Sequence, residues 1–211
     1  MTYPPLWRQI QKKNFTKIED LLEFLQIPDS KKILVKPSFP LNLPLRLAKK
    51  IRKNDFSDPI FRQLVPLIEE ENQHPDFSLD PVSDKEFRKS TRLLHKYEGR
   101  VLLLATGACV MNCRYCFRQN MDYGDFSQEL AIIKKDPSIK EVILSGGDPL
   151  SLSNRALRDL IDQLEAIPHV KLLRFHTRFP MGIPERIDDE FLELLDSSRF
   201  SIYFVLFDCQ Y

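Results

Sequence analysis

Val101-Leu102-Leu103-Leu104-Ala105 is the stretch that decides the fold of this sequence. It is a short, continuous apolar run, the pattern of a strand buried on both faces. Glu141-Val142-Ile143-Leu144, Val170 to Phe175 and Ser201 to Phe207 repeat the pattern. Between them lie segments of helical character. Phe126 to Lys135 reads as one helix. Asn154 to Ile167 reads as a second, with Leu157, Leu160, Ile161 and Leu164 recurring at i, i+3, i+4, i+7, Asn154 as N-cap and Pro168 beyond the end. Pro184 to Leu195 reads as a third, with Ile187, Phe191, Leu194 and Leu195 on one face.

This β-α-β-α-β-α-β order predicts right-handed βαβ units and an α/β fold with about four parallel strands. In such a fold, functional residues sit just after the carboxyl ends of the strands. Cys109, Cys113 and Cys116 follow the first strand, Ser145-Gly146-Gly147-Asp148-Pro149-Leu150 the second, and His176-Thr177-Arg178 the third. Three polar loops are therefore expected to converge on one end of the sheet.

Residues 1–98 have another character and are expected to form a helical N-terminal region before a barrel-like part at 99–211. Leu21, Leu22, Phe24 and Leu25 suit a short helix ending at Ile27-Pro28. Lys36 to Pro44 holds Pro37, Pro40 and Pro44 and must be extended or turning. Leu45 to Lys53 and Pro59 to Val65 suit short helices, and Glu69 to Pro81 a loop.

The chain has 211 residues, 43% of them hydrophobic and 29% charged, with a formal net charge of +1. That composition is globular and excludes a strongly cationic nucleic-acid binder or a polybasic membrane anchor. No apolar run approaches the ~20 residues of a membrane span. Met1 to Ile10 lacks the apolar core of a signal peptide, which points to a cytoplasmic protein.

Three of the four cysteines form Cys109-Val110-Met111-Asn112-Cys113-Arg114-Tyr115-Cys116, a Cys-x3-Cys-x2-Cys spacing. Three thiolates on one loop can hold three corners of a cubane iron–sulfur cluster, leaving the fourth iron open. Met111, Tyr115 and Phe117 could supply the shielding such a cluster needs. A structural zinc knuckle, completed by Cys209 or a histidine, is the alternative, though the spacing fits zinc's paired ligands poorly. Three inert buried thiols are a further alternative. Cys209 itself reads as a plain buried thiol.

The cysteine motif with its following aromatic, and the segment Ser145 to Leu150, resemble the radical S-adenosylmethionine (SAM) superfamily. Leu94-His95-Lys96-Tyr97, Arg100 to Leu104 and Asn112 to Arg118 resemble its lysine 2,3-aminomutase family. Tyr115, Phe117, Asp58 to Gln63 and Gln163 to His169 resemble the branch that makes (R)-β-lysine for elongation factor P; the branch of lysine metabolism is the near alternative. The resemblance runs from about residue 55 to about residue 205.

It implies a partial (β/α)6-type barrel and three cofactors. Cys109, Cys113 and Cys116 would ligate a [4Fe–4S] cluster whose open iron takes the amino and carboxylate groups of SAM. Gly146 and Gly147, beside Ser145, would let backbone approach the SAM amino group. Asp148 would hydrogen-bond or cap the turn, and Gly-Gly-Asp-Pro is a good turn in its own right. His176 and Arg178 would line the cleft, a structural histidine being the alternative for the former. Tyr97 would stack on pyridoxal phosphate (PLP), with Lys96 near its phosphate. Arg118 would meet the carboxylate of L-lysine through its bidentate fork. Packing and solvated surface charge are the plainer readings of Tyr97, Lys96 and Arg118. The implied partners are elongation factor P and its lysyl-ligase, with no nucleic acid and no membrane, and an oligomer left open. The family pattern continues past the fourth strand, whereas here Phe207-Asp208-Cys209-Gln210-Tyr211 follow. No residue can therefore be assigned as the PLP Schiff-base lysine or as a carboxylate for the substrate amino group. A non-catalytic remnant is the rival expectation.

Overall fold

The computed structural model describes residues 4–28, 31–72, 74–118 and 126–206. The apolar runs form strands β3 (Arg100–Thr106), β4 (Glu141–Gly146), β5 (Leu172–Thr177) and β6 (Ser201–Leu206), all parallel and adjacent in chain order. The crossovers carry α5 (Ser127–Lys135), α6 (Asn154–Glu165) and α8 (Asp189–Asp196), the last preceded by the short α7 (Phe179–Gly182). The expected α/β class and its four parallel strands are present.

The sheet has two more strands. β1 (Arg88–Ser90) and β2 (Leu93–Tyr97) extend it antiparallel at the β3 side, giving six strands in sequential order. β2 and β3 form a hairpin closed by Glu98-Gly99, where Gly99 takes φ +74°. A dipeptide ending in glycine between two apolar runs is a hairpin signal. The sheet thus runs through position 99.

The strands differ on their two faces. Val101, Leu103, Val142, Leu144, Leu173 and Phe175 are buried against Leu157, Leu160, Ile161 and Leu164 of α6 and Phe191 and Leu194 of α8 in one core. The alternate residues Leu102, Ile143, Arg174 and Tyr203 lie in register across the opposite face. Glu141 and Arg174 form an ion pair there at 2.6 Å.

Two helix starts differ from expectation. The α6 cap is Ser153, not Asn154: the Ser153 hydroxyl accepts from the Ala156 amide at 3.2 Å. Pro184 to Leu195 is not one helix. A 3₁₀ turn covers Pro184–Arg186, and Asp188, in extended backbone, restarts the chain by accepting from the Phe191 amide at 2.9 Å. A carboxylate that can cap outcompetes helix continuation at its own position. Ile187 consequently falls outside the helix.

In the N-terminal region, α1 (Leu6–Gln11), α2 (Ile18–Leu25), α3 (Leu45–Ala48) and α4 (Pro59–Leu64) contribute Trp7, Leu21, Leu25, Ala48, Phe61 and Leu64 to the same core. Arg186 is fully buried between the rings of Trp7 (5.1 Å) and Phe191 (4.5 Å). It donates to the carbonyls of Leu150 (2.8 Å) and Leu152 (3.2 Å). Burial lowers its pKa to about 10, so it stays charged at neutral pH. A buried cation thus joins α1, α8 and the loop after β4.

Phe175 is fully buried, stacked on Phe204 at 4.9 Å and edge-on to Phe191. Phe175→Ala should cost about 3–5 kcal/mol. Urea unfolding followed by circular dichroism reads this, and a loss under about 1 kcal/mol would show that the β5–β6 junction is not a packed core.

Candidate functional site

Three loops leave the carboxyl ends of β3, β4 and β5 and meet. Gly146 takes φ +115°, a conformation that L side chains rarely adopt, and a Cβ there would stand 2.6 Å from the Thr106 carbonyl oxygen. A Cβ on Gly147 would collide with the Ala108 carbonyl oxygen and lie 2.8 Å from the Gly107 carbonyl carbon. The amide of Gly147 donates to Thr106 (2.6 Å) and that of Asp148 to Ala108 (2.9 Å). The glycine pair therefore admits the backbone of the cysteine loop, a close approach made by the protein itself.

Asp148 does not face the cavity as a free ligand. Its carboxylate accepts the Thr177 hydroxyl (2.7 and 2.8 Å) and the amides of Arg178 (2.8 Å) and Leu150 (3.0 Å). It caps its own turn and holds the β5 loop against the β4 loop. Burial raises its pKa to about 6, opposed by those hydrogen bonds.

The cysteine loop is gripped from the N-terminal region. Asn42 Nδ2 donates to the Cys109 carbonyl (3.0 Å) and Asn14 Nδ2 to that of Val110 (2.8 Å). The Arg114 amide donates to the Gln63 carbonyl (2.7 Å), and its guanidinium pairs with Glu70 at 2.6 Å. Arg178 Nη1 donates to Cys113 Sγ (2.8 Å) and to Tyr115 Oη, while Nη2 donates to Gln63 Oε1 (3.1 Å). Asn14, Asn42 and Glu70 carry no motif, and nothing local in the sequence marks them as parts of this site; Gln63 ends the segment Asp58 to Gln63 that carries the family resemblance, which does not point to a contact with Arg178.

A cavity of about 220 Å³ results, lined by Cys109, Cys113, Cys116, Arg118, Ser145, Gly146, Gly147, Asp148, His176 and Arg178 together with Phe39, Met111, Tyr115 and Phe117. Ten of the twelve residues expected at the site are thus brought together. Tyr97 and Lys96 are not. Tyr97 pairs with Arg100 at the opposite end of β3, about 20 Å from Thr106 at ~3.3 Å per residue. Tyr97 is 58% exposed, with the Arg100 guanidinium 5.1 Å from its ring centroid. Lys96 Nζ donates to the Val82 carbonyl at 2.7 Å.

Arg118 already holds a carboxylate, donating from Nη2 to Asp84 Oδ2 (3.2 Å), and its Nη1 lies 3.5 Å from Ser145 Oγ. Burial, Arg174 and Arg118 lower the pKa of His176 to about 4, so its imidazole is neutral at neutral pH. The three cysteines are free thiols. Burial pushes the Cys109 thiol far up, with the charge of Asp148 adding to it. Burial also raises Cys113, opposed by the Arg178 charge and hydrogen bond. Among the described residues, no three His, Cys, Asp or Glu side chains are gathered tightly enough to hold a single ion. Three thiols on one cavity wall nonetheless fit a larger thiolate-bound group, whose binding would release their protons. Cys209 lies outside the described residues.

The geometry defines a class: an α/β protein that presents three thiols beside a glycine turn at the carboxyl ends of parallel strands, as radical SAM iron–sulfur proteins do. A family model described as "4Fe-4S single cluster domain" matches residues 97–196. The chain is 39% identical over 203 residues to an L-lysine 2,3-aminomutase of Haemophilus influenzae, covering 92% of this chain and 60% of the relative. It is 37% identical over 201 residues to an L-lysine 2,3-aminomutase of Escherichia coli, covering 90% and 58%. A Bacillus subtilis L-lysine 2,3-aminomutase is 30% identical over 189 residues, covering 84% and 40%. The chain is thus similar to lysine 2,3-aminomutases over about nine tenths of its own length, and it spans about three fifths of the length of the first two relatives. Among the described residues, no helix is long and apolar enough to cross a membrane.

The raised pKa of Asp148 gives a pH signature. A carboxyl whose folded pKa exceeds its unfolded 3.8 favours folding below about pH 4 and loses that contribution as pH rises through about 6. The stability of the parent relative to Asp148→Asn should therefore fall across this window by on the order of 3 kcal/mol. Urea midpoints of both proteins measured from pH 4 to about 7 read the difference. Parallel curves would show that the buried carboxyl titrates normally.

Proposed function

We propose that this chain carries the cluster- and SAM-binding part of a lysine 2,3-aminomutase acting on L-lysine to make (R)-β-lysine for elongation factor P. The observation that supports it is the meeting, in one cavity, of three thiols, a glycine turn and a carboxylate-binding arginine. When bound, a [4Fe–4S] cluster with SAM supplies radical chemistry that protein side chains alone do not provide.

The residues divide the remaining work. Cys109, Cys113 and Cys116 would hold the cluster as thiolates, leaving one iron without a protein ligand. Ser145, Gly146 and Gly147 border the place of SAM. Val110 and Met111 are buried, and Met111, Phe39 and Phe117 give the cavity an apolar wall that limits water. His176 enters neutral and can donate or accept one hydrogen bond without adding charge. Arg118 orients the lysine carboxylate, taking it in exchange for Asp84. That exchange balances charge, one carboxylate replacing another.

Pyridoxal phosphate is part of the same reading. Tyr97 and Lys96, which the sequence resemblance assigns to it, instead meet the Arg100 guanidinium and the Val82 carbonyl at the far end of the sheet from the thiols, and we assign no role in it to them. Delivery of product to elongation factor P through its lysyl-ligase rests on the sequence resemblance of Tyr115, Phe117 and Gln163 to His169. A cytoplasmic setting belongs to the same proposal.

Anaerobic reconstitution with iron and sulfide should load one four-iron cluster per chain, and Cys113→Ala should lose it. The loaded chain, given SAM, dithionite and L-lysine, should cleave SAM to methionine and 5′-deoxyadenosine, read by mass spectrometry. A colourless zinc protein would overturn the cluster assignment. A fully loaded chain that leaves SAM intact would overturn the SAM-binding reading.

A further inference from the structure

Arg178 is the one cation shown in contact with a cluster thiol among the described residues. It is fixed by groups from three parts of the chain, two at its guanidinium and one at its backbone amide. Nη1 donates to Cys113 Sγ at 2.8 Å and to Tyr115 Oη, Nη2 donates to Gln63 Oε1 at 3.1 Å, and its own amide donates to Asp148 Oδ2 at 2.8 Å. Gln63 is itself held in place. It lies on α4, whose start is capped by the buried Asp58, which accepts the amides of Ile60 (2.9 Å) and Phe61 (3.1 Å). The Gln63 carbonyl also receives the Arg114 amide from within the cysteine motif.

We propose that Arg178 donates an N–H···S hydrogen bond to the Cys113 thiolate of the cluster and raises the cluster's reduction potential, with Gln63 as the residue that positions it. This rests on the cluster reading given above. The physical basis is charge. One-electron reduction by an external reductant adds negative charge to a cluster that spreads it over its sulfurs. A fixed cation and a hydrogen bond at one of those sulfurs stabilise the reduced form more than the oxidised form. Arginine suits the task because it stays protonated in a half-buried place and its planar fork can serve sulfur and amide oxygen at once. The N-terminal region would then reach the redox centre through Gln63, a residue 115 positions from Arg178 in sequence.

The test is a potentiometric titration of the reconstituted full chain with mediator dyes and dithionite, read by the electron paramagnetic resonance of the reduced cluster. The parent is compared with Arg178→Met, Arg178→Lys and Gln63→Leu. Arg178→Met should shift the one-electron equilibrium at least tenfold toward the oxidised form, a fall of about 59 mV or more. Arg178→Lys, which keeps the charge and loses the fork, should recover part of that shift. Gln63→Leu should move the potential down by less, with iron content unchanged. A loaded Arg178→Met protein that titrates with the parent overturns the proposal. Should Arg178→Met fail to keep its cluster, Gln63→Leu decides, and an unchanged potential there overturns it equally. A parent that takes up no iron fails at the earlier step and overturns the cluster reading, which iron analysis distinguishes from either result.

Discussion

The buried carboxylate of Asp148 is the joint on which the site depends. It accepts from Leu150 in its own loop and from Thr177 and Arg178 in the next, while its amide donates to Ala108 in the cysteine loop. One side chain and its backbone thereby connect the carboxyl ends of three adjacent parallel strands. Burying a carboxylate is unfavourable, and its raised pKa records that cost. The hydrogen bonds offset part of it and aim Arg178 at Cys113. Without the joint, the cysteine loop would still be attached to β3, but its cation would not be placed.

The glycine pair works with this joint. Gly146 and Gly147 lie so close to Thr106, Gly107 and Ala108 that no side chain fits between the two loops. The absence of a Cβ at both positions is used for contact between backbones. Arg186 completes the frame from behind, with its charge buried between two aromatic rings and its donors on the carbonyls of Leu150 and Leu152.

Much of this was legible in the sequence. Buried parallel strands write themselves as continuous apolar runs, so the four strands and their order could be read directly. Because such sheets expose their carboxyl-end loops, the meeting of the cysteines, the glycine turn and Arg178 followed from strand order alone. The β2 strand was missed because Leu93 to Tyr97 does not alternate: the buried Leu93 and Leu94 are followed by His95, Lys96 and Tyr97, which turn progressively toward solvent. The break at Asp188 was missed because periodicity counts apolar residues and overlooks a capping carboxylate among them. The grip of Asn14, Asn42 and Glu70 on the cysteine loop had no local signature. These are single polar residues whose partners lie tens of positions away, and only the folded chain brings them together.

The central claim is that the three thiols hold a cluster with one iron free to bind SAM. The most direct measurement is the electron paramagnetic resonance spectrum of the reduced, reconstituted chain before and after SAM is added, with the SAM amino nitrogen isotopically labelled. The account predicts a changed spectrum and a hyperfine coupling from the labelled nitrogen to the cluster. A spectrum unaltered by saturating SAM, with no coupling to the label, would contradict it.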